Sequence, residues 1–449
     1  MARVLVIYHW LPMRRRIPPY GPHLKSLRRY SQHECFYLNA HRRSVPGYLR
    51  SLRPDLVIFH PTFLVERLRP DFARLRELVD FVRVGTARRA AITSDECWAA
   101  DLLTEFINDF GVTDVFTFAP LSARSVIYAG VEDDQVSYHT VHTTYVDDRL
   151  VRKVSRLASH HGSRAIDIGG RIVKSPALGR HGLLREQVIS VLRDKGSRAG
   201  FSVDLSSAHD ERIFGDAWFD FLLDCRYTVG VEAGGSMLDR DGTALKRVNE
   251  YLATHEDPSF EEVEAACFPG LDGNVDYRAL APRHLEAVIA KSCQVLVEGE
   301  YSGMLAPGDH YLELKRDFSN VDEVLDLMRD ENLRQKIVDR AYHDVVLSGD
   351  YSYRVFAEQV FSEALPDERQ RDHRRLLSPA LLWNRIDERL WEIPWWIASK
   401  RARHVALIQK WIREARWATL SILRRLLDAM VGAERIGRIL ARIRRRGQS

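Results

Sequence analysis

The stretch that decides the fold is the first one, Met1-Ala-Arg-Val4-Leu5-Val6-Ile7-Tyr8, a short apolar run rich in β-branched residues. Such a run favours a strand that is buried on both faces. Similar runs follow, each bounded by polar or turn residues, at Cys35–Leu38, Asp55–His60, Ala90–Thr93 and Asp114–Phe118. Helical patterns, with apolar residues three and four apart, separate them at Phe63–Arg83 and Trp98–Phe110. This alternation predicts a parallel sheet with helices on both faces.

A second alternating unit follows the first. Its predicted strands are Ala165–Ile168, Phe201–Leu205, Tyr227–Val231, Cys293–Val297 and Tyr311–Leu314. Its predicted helices are Leu178–Lys195, Asp216–Leu223, Phe260–Ala266, Pro282–Ala290, Val321–Met328 and Asn332–Val346. Two doubly wound units give two lobes, and ligands of such sheets bind in the cleft beyond the carboxyl ends of the strands. We therefore expect an α/β protein with a pair of Rossmann-like domains.

The length of 449 residues suits two domains of about 150 residues each and an appendage. We divide the chain into a first Rossmann-like domain at 1–145, a polar and basic linker at 146–162, a second Rossmann-like domain at 163–365 and a helical tail at 366–449.

Composition excludes several classes of protein. With 45% hydrophobic and 29% charged residues, the chain is expected to fold. The five cysteines form no CxxC pair, so neither a disulfide framework nor a zinc site is expected. No secretory signal is predicted, and no apolar run approaches the roughly 20 residues of a spanning helix. We expect a cytoplasmic protein.

Charge is divided unevenly along the chain. From residue 375 onward there are 17 Lys and Arg against 6 Asp and Glu, whereas the remainder has 49 against 56. Six of the nine tryptophans also lie in the tail: Trp383, Trp391, Trp395, Trp396, Trp411 and Trp417. Apolar residues recur at helical spacing from Ile408 to Ile443, with arginines between them, which is typical of a helix lying on an anionic membrane surface. The alternative is that this stripe packs on the body or on a second copy.

The usual phosphate-binding signatures are missing. No GxxxxGK[ST] is present, and His9-Trp10-Leu11-Pro12 stands where a GxGxxG would follow the first strand. Glycine pairs do follow predicted strands of the second lobe, at Gly169-Gly170 and Gly234-Gly235. Gly170 would allow a phosphate to approach the backbone closely, although a plain tight turn explains it equally well.

The segment from Arg283 to Arg354 carries a family resemblance. It contains, in order, Pro282-Arg283-His284-Leu285-Glu286-Ala287, Cys293-Gln-Val-Leu-Val-Glu298-Gly, Leu305-Ala-Pro-Gly-Asp-His310-Tyr and Tyr351-Ser-Tyr-Arg354. This order resembles the C-terminal lobe of group-1 glycosyltransferases, particularly the branch of spore-maturation-type proteins. The resemblance covers roughly 165–359 and implies a GT-B fold, in which the first lobe is similar by architecture only.

The resemblance implies a donor site in the second lobe. The glutamate of the helix start contacts the nucleotide ribose in that family, and here it is Glu286. Arg283 lies one turn earlier and is suited to the diphosphate. Three more basic residues, Arg171, Lys174 and Arg180, resemble those that hold the donor phosphates. No metal and no cofactor are expected, because basic side chains neutralise the leaving group.

One position departs from the family. Retaining members carry a second glutamate eight residues before the first, where this chain has Arg278. Glu232 and Asp239 are the candidates to replace it as the contact to the transferred sugar. In the first lobe, Asp95 and Glu96 follow a predicted strand and are candidates for the catalytic base or for acceptor binding. Alternatively, Ser94 or Asp95 caps the next helix.

Together these features predict a glycosyltransferase that moves a sugar from a nucleotide-diphosphate sugar to a glycan or lipid-linked acceptor. It would lie peripherally on the cytoplasmic face of the membrane, held there by residues 375–449. The alternatives are a non-catalytic GT-B-like scaffold of polysaccharide assembly and a nucleotide-sugar epimerase. Specific nucleic-acid binding is disfavoured because the body is acidic. The histidines His139, His142, His160 and His161 lack metal-ligand spacing and are interpreted as part of the linker.

Overall fold

The first lobe is built on a six-stranded parallel sheet. The computed structural model describes residues 1–10, 20–132, 134, 136–365 and 378–389. The strands are β1 (Arg3–Tyr8), β2 (Glu34–Asn39), β3 (Leu56–Phe59), β4 (Arg88–Ile92), β5 (Asp114–Thr117) and β6 (Ser137–Thr140), in the order β2-β1-β3-β4-β5-β6. Strand β1 lies between β2 and β3, with Val4 opposite Cys35 and Leu56, and its residues after Arg3 are buried.

Helices cover this sheet on both faces. They are α1 (Tyr20–Arg29), α2 (Gly47–Arg50), α3 (Pro61–Leu64), α4 (Phe72–Val79), α5 (Ala100–Asp109) and α6 (Leu121–Ile127), with 3₁₀ turns at Val65–Leu68 and Asp80–Arg83. The single helix predicted over Phe63–Arg83 is wrong. Pro70 lacks a backbone N–H and disfavours helical geometry in the residue before it, and Arg69 is extended, with φ −126° and ψ 149°.

The second lobe contains a five-stranded parallel sheet. Its strands β7 (Ile166–Arg171), β8 (Val203–Ser206), β9 (Cys225–Gly230), β12 (Cys293–Val297) and β13 (Leu312–Leu314) run in the order β13-β12-β9-β7-β8. An antiparallel pair, β10 (Ala233–Met237) and β11 (Asp272–Ala279), stands apart from it and was not predicted. All ten predicted strands are present within three residues of their predicted ends. The predicted fold class, a GT-B-like pair of doubly wound parallel-sheet domains, is confirmed.

The helices of the second half include three that were not among the predicted ones, the first, fourth and last of the following list. They are α7 (Asp148–Ala158), α8 (Arg180–Arg198), α9 (Asp216–Asp224), α10 (Thr243–Leu252), α11 (Phe260–Cys267), α12 (Pro282–Ile289), α13 (Val321–Leu327), α14 (Glu331–Ala341) and α15 (Tyr353–Ala364). Helix α7 occupies the predicted linker, and the side chain of Asp147 caps its first turn at Arg149. Helix α15 falls within the predicted second domain but packs on the first sheet.

Helix α15 completes the hydrophobic core of the first lobe. Its buried face, which includes Phe356 and Val360, packs in one cluster with Val4 and Val6 of β1 and with Leu27 of α1. The chain therefore crosses to the second lobe and returns, so that the first lobe is closed by residues that follow the second.

A further helix, α16 (379–389), begins after Ser378 and contacts the edge strand β2. The side-chain amide of Asn384 donates to the carbonyl oxygen of Tyr37 and accepts from its N–H, both at 3.0 Å. Arg28 also donates to the Asn384 oxygen at 3.2 Å. These bonds satisfy backbone groups that an edge strand otherwise leaves unpaired. Part of the predicted tail, around Asn384, thus packs on protein, and residues 366–377 and 390–449 lie outside the described residues.

The two lobes are joined at a buried carboxylate. Glu96, which follows β4 and is fully buried, accepts hydrogen bonds from the hydroxyls of Thr93 at 2.5 Å, Thr117 and Tyr128 at 2.7 Å. Its second oxygen accepts from the hydroxyl of Tyr277 at 2.6 Å, and Tyr277 belongs to β11 of the other lobe. Both oxygens of one buried acid are therefore engaged, one of them across the junction.

Backbone pairing extends the junction. The N–H of Asp239 donates to the carbonyl of Cys97 at 2.8 Å, and the indole of Trp98 donates to the carbonyl of Ala177 at 3.4 Å. Cys97 and Trp98 follow β4 of the first sheet, and Ala177 follows β7 of the second. The carboxyl ends of the two sheets therefore face each other. No helix of the described ranges is long and apolar enough to cross a bilayer.

Loss of the Tyr277 hydroxyl should weaken the junction. Tyr277→Phe leaves one oxygen of a buried carboxylate without its donor, so the free energy of unfolding in urea should fall by about 1–3 kcal/mol. The matched control is Tyr342→Phe, because the Tyr342 hydroxyl has no hydrogen-bond partner among the residues described. Equal stability of the two variants would show that the junction does not depend on this bond.

Candidate functional site

Four residues meet beyond the carboxyl edge of the second sheet. Three of them, Arg171, Arg283 and Glu286, were predicted to bind the donor. Arg283, in the first turn of α12, donates to the backbone carbonyl of Arg171 at the end of β7, at 2.7 Å. One turn later, Glu286 accepts from the indole N–H of Trp218 at 2.7 Å. Proline at the start of α12 favours a helix beginning there and directs both side chains to the same place. Trp218, on α9, was not predicted.

Glu286, the acid among these four residues, has a pKa close to neutral pH. Burial raises the pKa of Glu286 to about 7, although the Trp218 hydrogen bond and the charge of Arg283 oppose the shift. Burial likewise lowers the pKa of Arg283, with Glu286 acting in the other direction and Arg212 adding repulsion. At neutral pH one carboxyl group thus balances the local positive charge only in part.

Arg185 adds a second enclosed cation that the sequence did not reveal. It lies in the second turn of α8, and burial, followed by repulsion from Arg283, lowers its pKa to about 10. No hydrogen bond or ion pair joins its guanidinium to another residue of the described ranges. The thiol of Cys97 in the first lobe is near enough to act on it electrostatically, so Arg185 lies where the lobes meet.

A loop after β8 brings a third arginine to this place. Arg212 is exposed, repels Arg283 and lies over the ring of Phe214, 4.8 Å from its centroid. Phe214 is itself 47% exposed. The cluster formed by Arg185, Arg212 and Arg283, which we call the arginine cluster, therefore includes enclosed and accessible members.

Arg171 and Gly170 line the site without offering the groups predicted for them. The Arg171 guanidinium turns toward β8, where it donates to the carbonyl and the carboxylate of Asp204 at 2.9 and 2.7 Å. A side chain at Gly170 would lie 3.0 Å from Leu205, so the glycine permits close packing within the sheet. Both residues border a cavity of about 10 Å³, shared with Trp218 and Arg283, which holds at most one water molecule.

Lys174 and Arg180 lie away from the arginine cluster. Lys174 pairs with Asp257 at 2.9 Å and with Glu186 at 3.3 Å, at the rim of a separate cavity of about 200 Å³. Arg180 is exposed and pairs with Asp272 at 3.2 Å, whose carboxylate also accepts the Arg180 backbone N–H at the start of α8. Asp272 thus occupies the helix N-terminus that would otherwise favour a phosphate.

The acids considered for the sugar contact are held by backbone groups. Glu232 is buried and accepts the N–H of Tyr301 at 2.8 Å, and burial raises its pKa. Asp239 accepts from the N–H groups of Gly242 and Leu245 at the start of α10. Arg278 exerts an attraction on Glu232, which places this arginine near the acid that was proposed to replace its family counterpart.

In the first lobe, Asp95 and Glu96 have different surroundings. Glu96 is the fully engaged acid of the lobe junction, so neither of its oxygens is open to an acceptor. Asp95 adopts a left-handed conformation with φ 52°, and burial raises its pKa. The alternative in which Ser94 or Asp95 caps the next helix is wrong, because α5 begins at Ala100 with Ala99 in the cap position.

Two further expectations concern histidines and metals. His139 does not lie in a linker but on β6. Its ring stacks there on Phe116, and its Nε2 is 3.1 Å from Asp114. Among the residues that the structure describes, no group of three or more histidines, cysteines and acids could hold a metal ion.

Known proteins are similar to this chain in structure and not in sequence. No family model matches the chain, and no curated protein is significantly similar to it. Anabaena Alr3699/HepE, solved in complex with UDP-glucose, is 10% identical with a TM-score of 0.43, over 82% of this chain and 100% of that one. AviGT4, a glycosyltransferase involved in avilamycin A biosynthesis, is 13% identical with a TM-score of 0.39, over 81% and 97%. Similarities of this size carry no weight for activity or ligands, so we infer both from the chain's own residues.

The raised pKa of Glu286 makes stability depend on pH. A carboxyl group whose pKa is 4.5 when unfolded and about 7 when folded stabilises the protein below pH 4.5 and loses that contribution as pH rises through 7. Glu286→Gln keeps an acceptor for Trp218 but cannot ionise. Relative to the parent chain, it should gain about 3 kcal/mol in the free energy of unfolding between pH 4.5 and pH 8.

Urea denaturation at several pH values measures this difference, with Glu323→Gln on the exposed face of α13 as control. If the Glu286 variant and the control show the same pH dependence as the parent chain, then Glu286 is not held in its neutral form.

Proposed function

We propose that this chain is a GT-B glycosyltransferase that transfers a sugar from a nucleotide-diphosphate sugar to a glycan or lipid-linked acceptor. The observation that carries the proposal is the arginine cluster. Arg185 and Arg283 are both partly buried, and Glu286 is the one acid among the groups that act on Arg283. Partly buried cations that lack matching anions are costly, so the cluster is suited to a ligand that brings negative charge.

A diphosphate matches the arginine cluster in charge. Arg185 and Arg283 would bind its oxygens, with Arg212 approaching from the loop after β8. The same side chains would stabilise the nucleoside diphosphate as the bond to the sugar breaks, which is the charge that develops in the transfer. Neither a metal nor a cofactor is required for this role.

Glu286 would accept hydrogen bonds from the ribose hydroxyls, as the family resemblance implies. An ionised carboxylate is an acceptor-only group suited to two neighbouring hydroxyls. Trp218 fixes its orientation. The closer relationship to the spore-maturation branch belongs to this proposal too, since it rests on the order of motifs in the second lobe.

The remaining residues complete the proposed site. Asp95 is the first-lobe acid that we place toward the acceptor, since Glu96 is engaged at the junction. Glu232 and Arg278 stand near each other at the sugar end. Lys174, Arg180 and the guanidinium of Arg171 have carboxylate partners of their own, so we give them supporting positions and no direct contact with the donor.

Ligand binding tests the donor site. UDP-glucose, GDP-mannose and dTDP-glucose form the panel, and CMP-sialic acid, which has a single phosphate, is the control for the second phosphate. At least one panel member should raise the melting temperature of the full chain, because a ligand of the folded state stabilises it by mass action. Calorimetry then gives the dissociation constant.

Arg185→Gln should raise that dissociation constant by roughly 10- to 100-fold, equivalent to about 1.5–3 kcal/mol for a hydrogen bond to a charged group. Arg180→Gln removes the same charge from the same helix at a residue already paired with Asp272 and should have little effect. Absence of binding to every member of the panel, or equal losses in both variants, would contradict the proposed donor site.

The basic tail supports a membrane location for the acceptor. Its arginines and tryptophans suit an anionic lipid surface, to which each basic residue contributes about 1 kcal/mol. The full chain should sediment with vesicles containing phosphatidylglycerol at low salt, and salt should weaken the binding by screening. It should not sediment with pure phosphatidylcholine vesicles.

A chain ending at Arg389 keeps α16 and should lose vesicle binding. Unchanged binding after this truncation would place the lipid contact elsewhere. A truncated chain that unfolds or changes its oligomeric state would instead show that the tail packs on protein.

A further inference from the structure

A chain of titratable groups lies at the carboxyl edge of the first sheet. His9 directly follows β1, and its Nδ1 is 3.2 Å from a carboxylate oxygen of Glu66, an ion-pair contact that lacks the geometry of a hydrogen bond. Its Nε2 is 3.4 Å from Nδ1 of His41, which follows β2, and the two rings meet edge to face with centroids 5.3 Å apart. His9 and Glu66 are 4% and 2% exposed, whereas His41 is only partly buried. The order from core to surface is therefore Glu66, His9, His41.

The fold holds these three groups in place. The side-chain oxygen of Asn39 accepts the backbone N–H groups of both Trp10 and His41 at 3.1 Å, which ties the end of β1 to the end of β2. Glu66 lies in the 3₁₀ turn Val65–Leu68, and its neighbour Arg67 fastens that turn to the lobe junction. Arg67 donates to the carbonyls of Leu64, Ser94, Asp95 and Trp98, at 3.0, 3.2, 2.5 and 3.2 Å respectively.

These three titratable groups and the arginine cluster lie at the carboxyl edges of different sheets. The loops after β4 and β7 touch at the junction, so the carboxyl edges of the two sheets face each other. Strand β1 is separated from β4 by β3 alone, which at the usual spacing of strands puts His9 about 10 Å from the junction along the same edge. His41, which follows β2, lies one strand farther out along the same edge.

We propose that Glu66, His9 and His41 form a proton relay that removes the proton of the attacking acceptor hydroxyl. The relay rests on the proposed function, to which it adds the proton acceptor. The Glu66 carboxylate lies close enough to His9 to stabilise a positive charge on its ring, and the second imidazole, that of His41, extends the row toward the surface. A metal site is a poor alternative, because no group of three or more histidines, cysteines and acids among the described residues could hold a metal ion.

The step balances as follows in atoms and charge. The acceptor oxygen forms a bond to the anomeric carbon, and the bond from that carbon to the phosphate oxygen breaks, leaving its electron pair on the nucleoside diphosphate. The hydroxyl proton goes to Nε2 of His41, and the Nδ1 proton of His41 moves to Nε2 of His9. The resulting imidazolium of His9 is stabilised by the Glu66 carboxylate, and the departing diphosphate by the arginine cluster.

Charged neighbours set the pH range of the relay. Burial, then the charges of His9 and Arg74, lower the pKa of His41, while Asp71 and Glu66 oppose the shift. Asp71 is itself paired with Arg74 at 2.7 Å, and Arg69 lies 3.5 Å from Glu66. The lowered pKa of His41 favours its neutral form, which is the form that accepts a proton.

Donor hydrolysis tests the relay without a known acceptor, because water can take the place of the hydroxyl. Release of nucleoside diphosphate is followed from pH 5 to 9 with the full chain and each sugar nucleotide of the panel that binds. His41→Ala and His9→Ala should slow the release by roughly 100-fold or more, with an unchanged dissociation constant for the donor. Circular dichroism checks that both variants are folded.

Glu66→Gln separates a positioning role from a structural one. Without the carboxylate the imidazolium is less stabilised, so the rate should fall and the acidic limb of the pH–rate profile should move to lower pH. His255→Ala is the matched control. His255 is exposed, follows α10 in the second lobe and stacks on Tyr251 near the end of that helix.

The outcomes separate the two proposals. If a donor binds but the parent chain releases no diphosphate above the uncatalysed rate, or if the variants release it as fast as the parent, the relay is overturned and the donor site stands. If no member of the panel binds, the proposed function fails and the relay fails with it.

Discussion

The buried carboxylate of Glu96 fixes the geometry on which both proposed sites depend. Four hydroxyls surround it, three from the first lobe and one from β11 of the second. A buried acid is stable only when its oxygens are satisfied, so removing any of these donors has a cost that a surface contact would not have. The enclosed guanidinium of Arg67 lies nearby and is attracted by the same acid. Because the loop after β4 is held in this way, the two sheet edges keep a defined separation.

Opposite chemical tendencies lie on the two sides of that separation. The first sheet ends in a carboxylate and two imidazoles, groups that accept protons. The second ends in the arginine cluster, whose groups stabilise anions. Displacement of a phosphate by a hydroxyl needs both, one for the proton that leaves the nucleophile and one for the charge that leaves with the phosphate. Glu286, which is about half ionised at neutral pH, offsets part of the positive charge of the arginine cluster.

Sequence patterns predicted what depends on local order and missed what depends on distant partners. The strands are recognisable because buried parallel strands are continuous apolar runs, and Pro70 explains the one predicted helix that is broken. Arg283 and Glu286 share a helix turn, so their proximity follows from their spacing. The sequence around Arg185 predicts an ordinary helix residue. Its burial results from tertiary packing. The counter-ion of Arg180 is Asp272, 92 residues away, which no spacing rule supplies.

The edges of the first sheet have a consequence for biosynthesis. On one edge, Asn384 satisfies both backbone groups of Tyr37, and on the other the side-chain amide of Gln359 donates to the carbonyl of Thr140 at 2.9 Å. Both covers come from the last part of the described chain, although the strands they protect are made first. A nascent chain therefore carries open strand edges until residues beyond 384 leave the ribosome, and in that interval the first lobe can pair wrongly with other chains. Its folding is therefore completed only after translation of the second lobe.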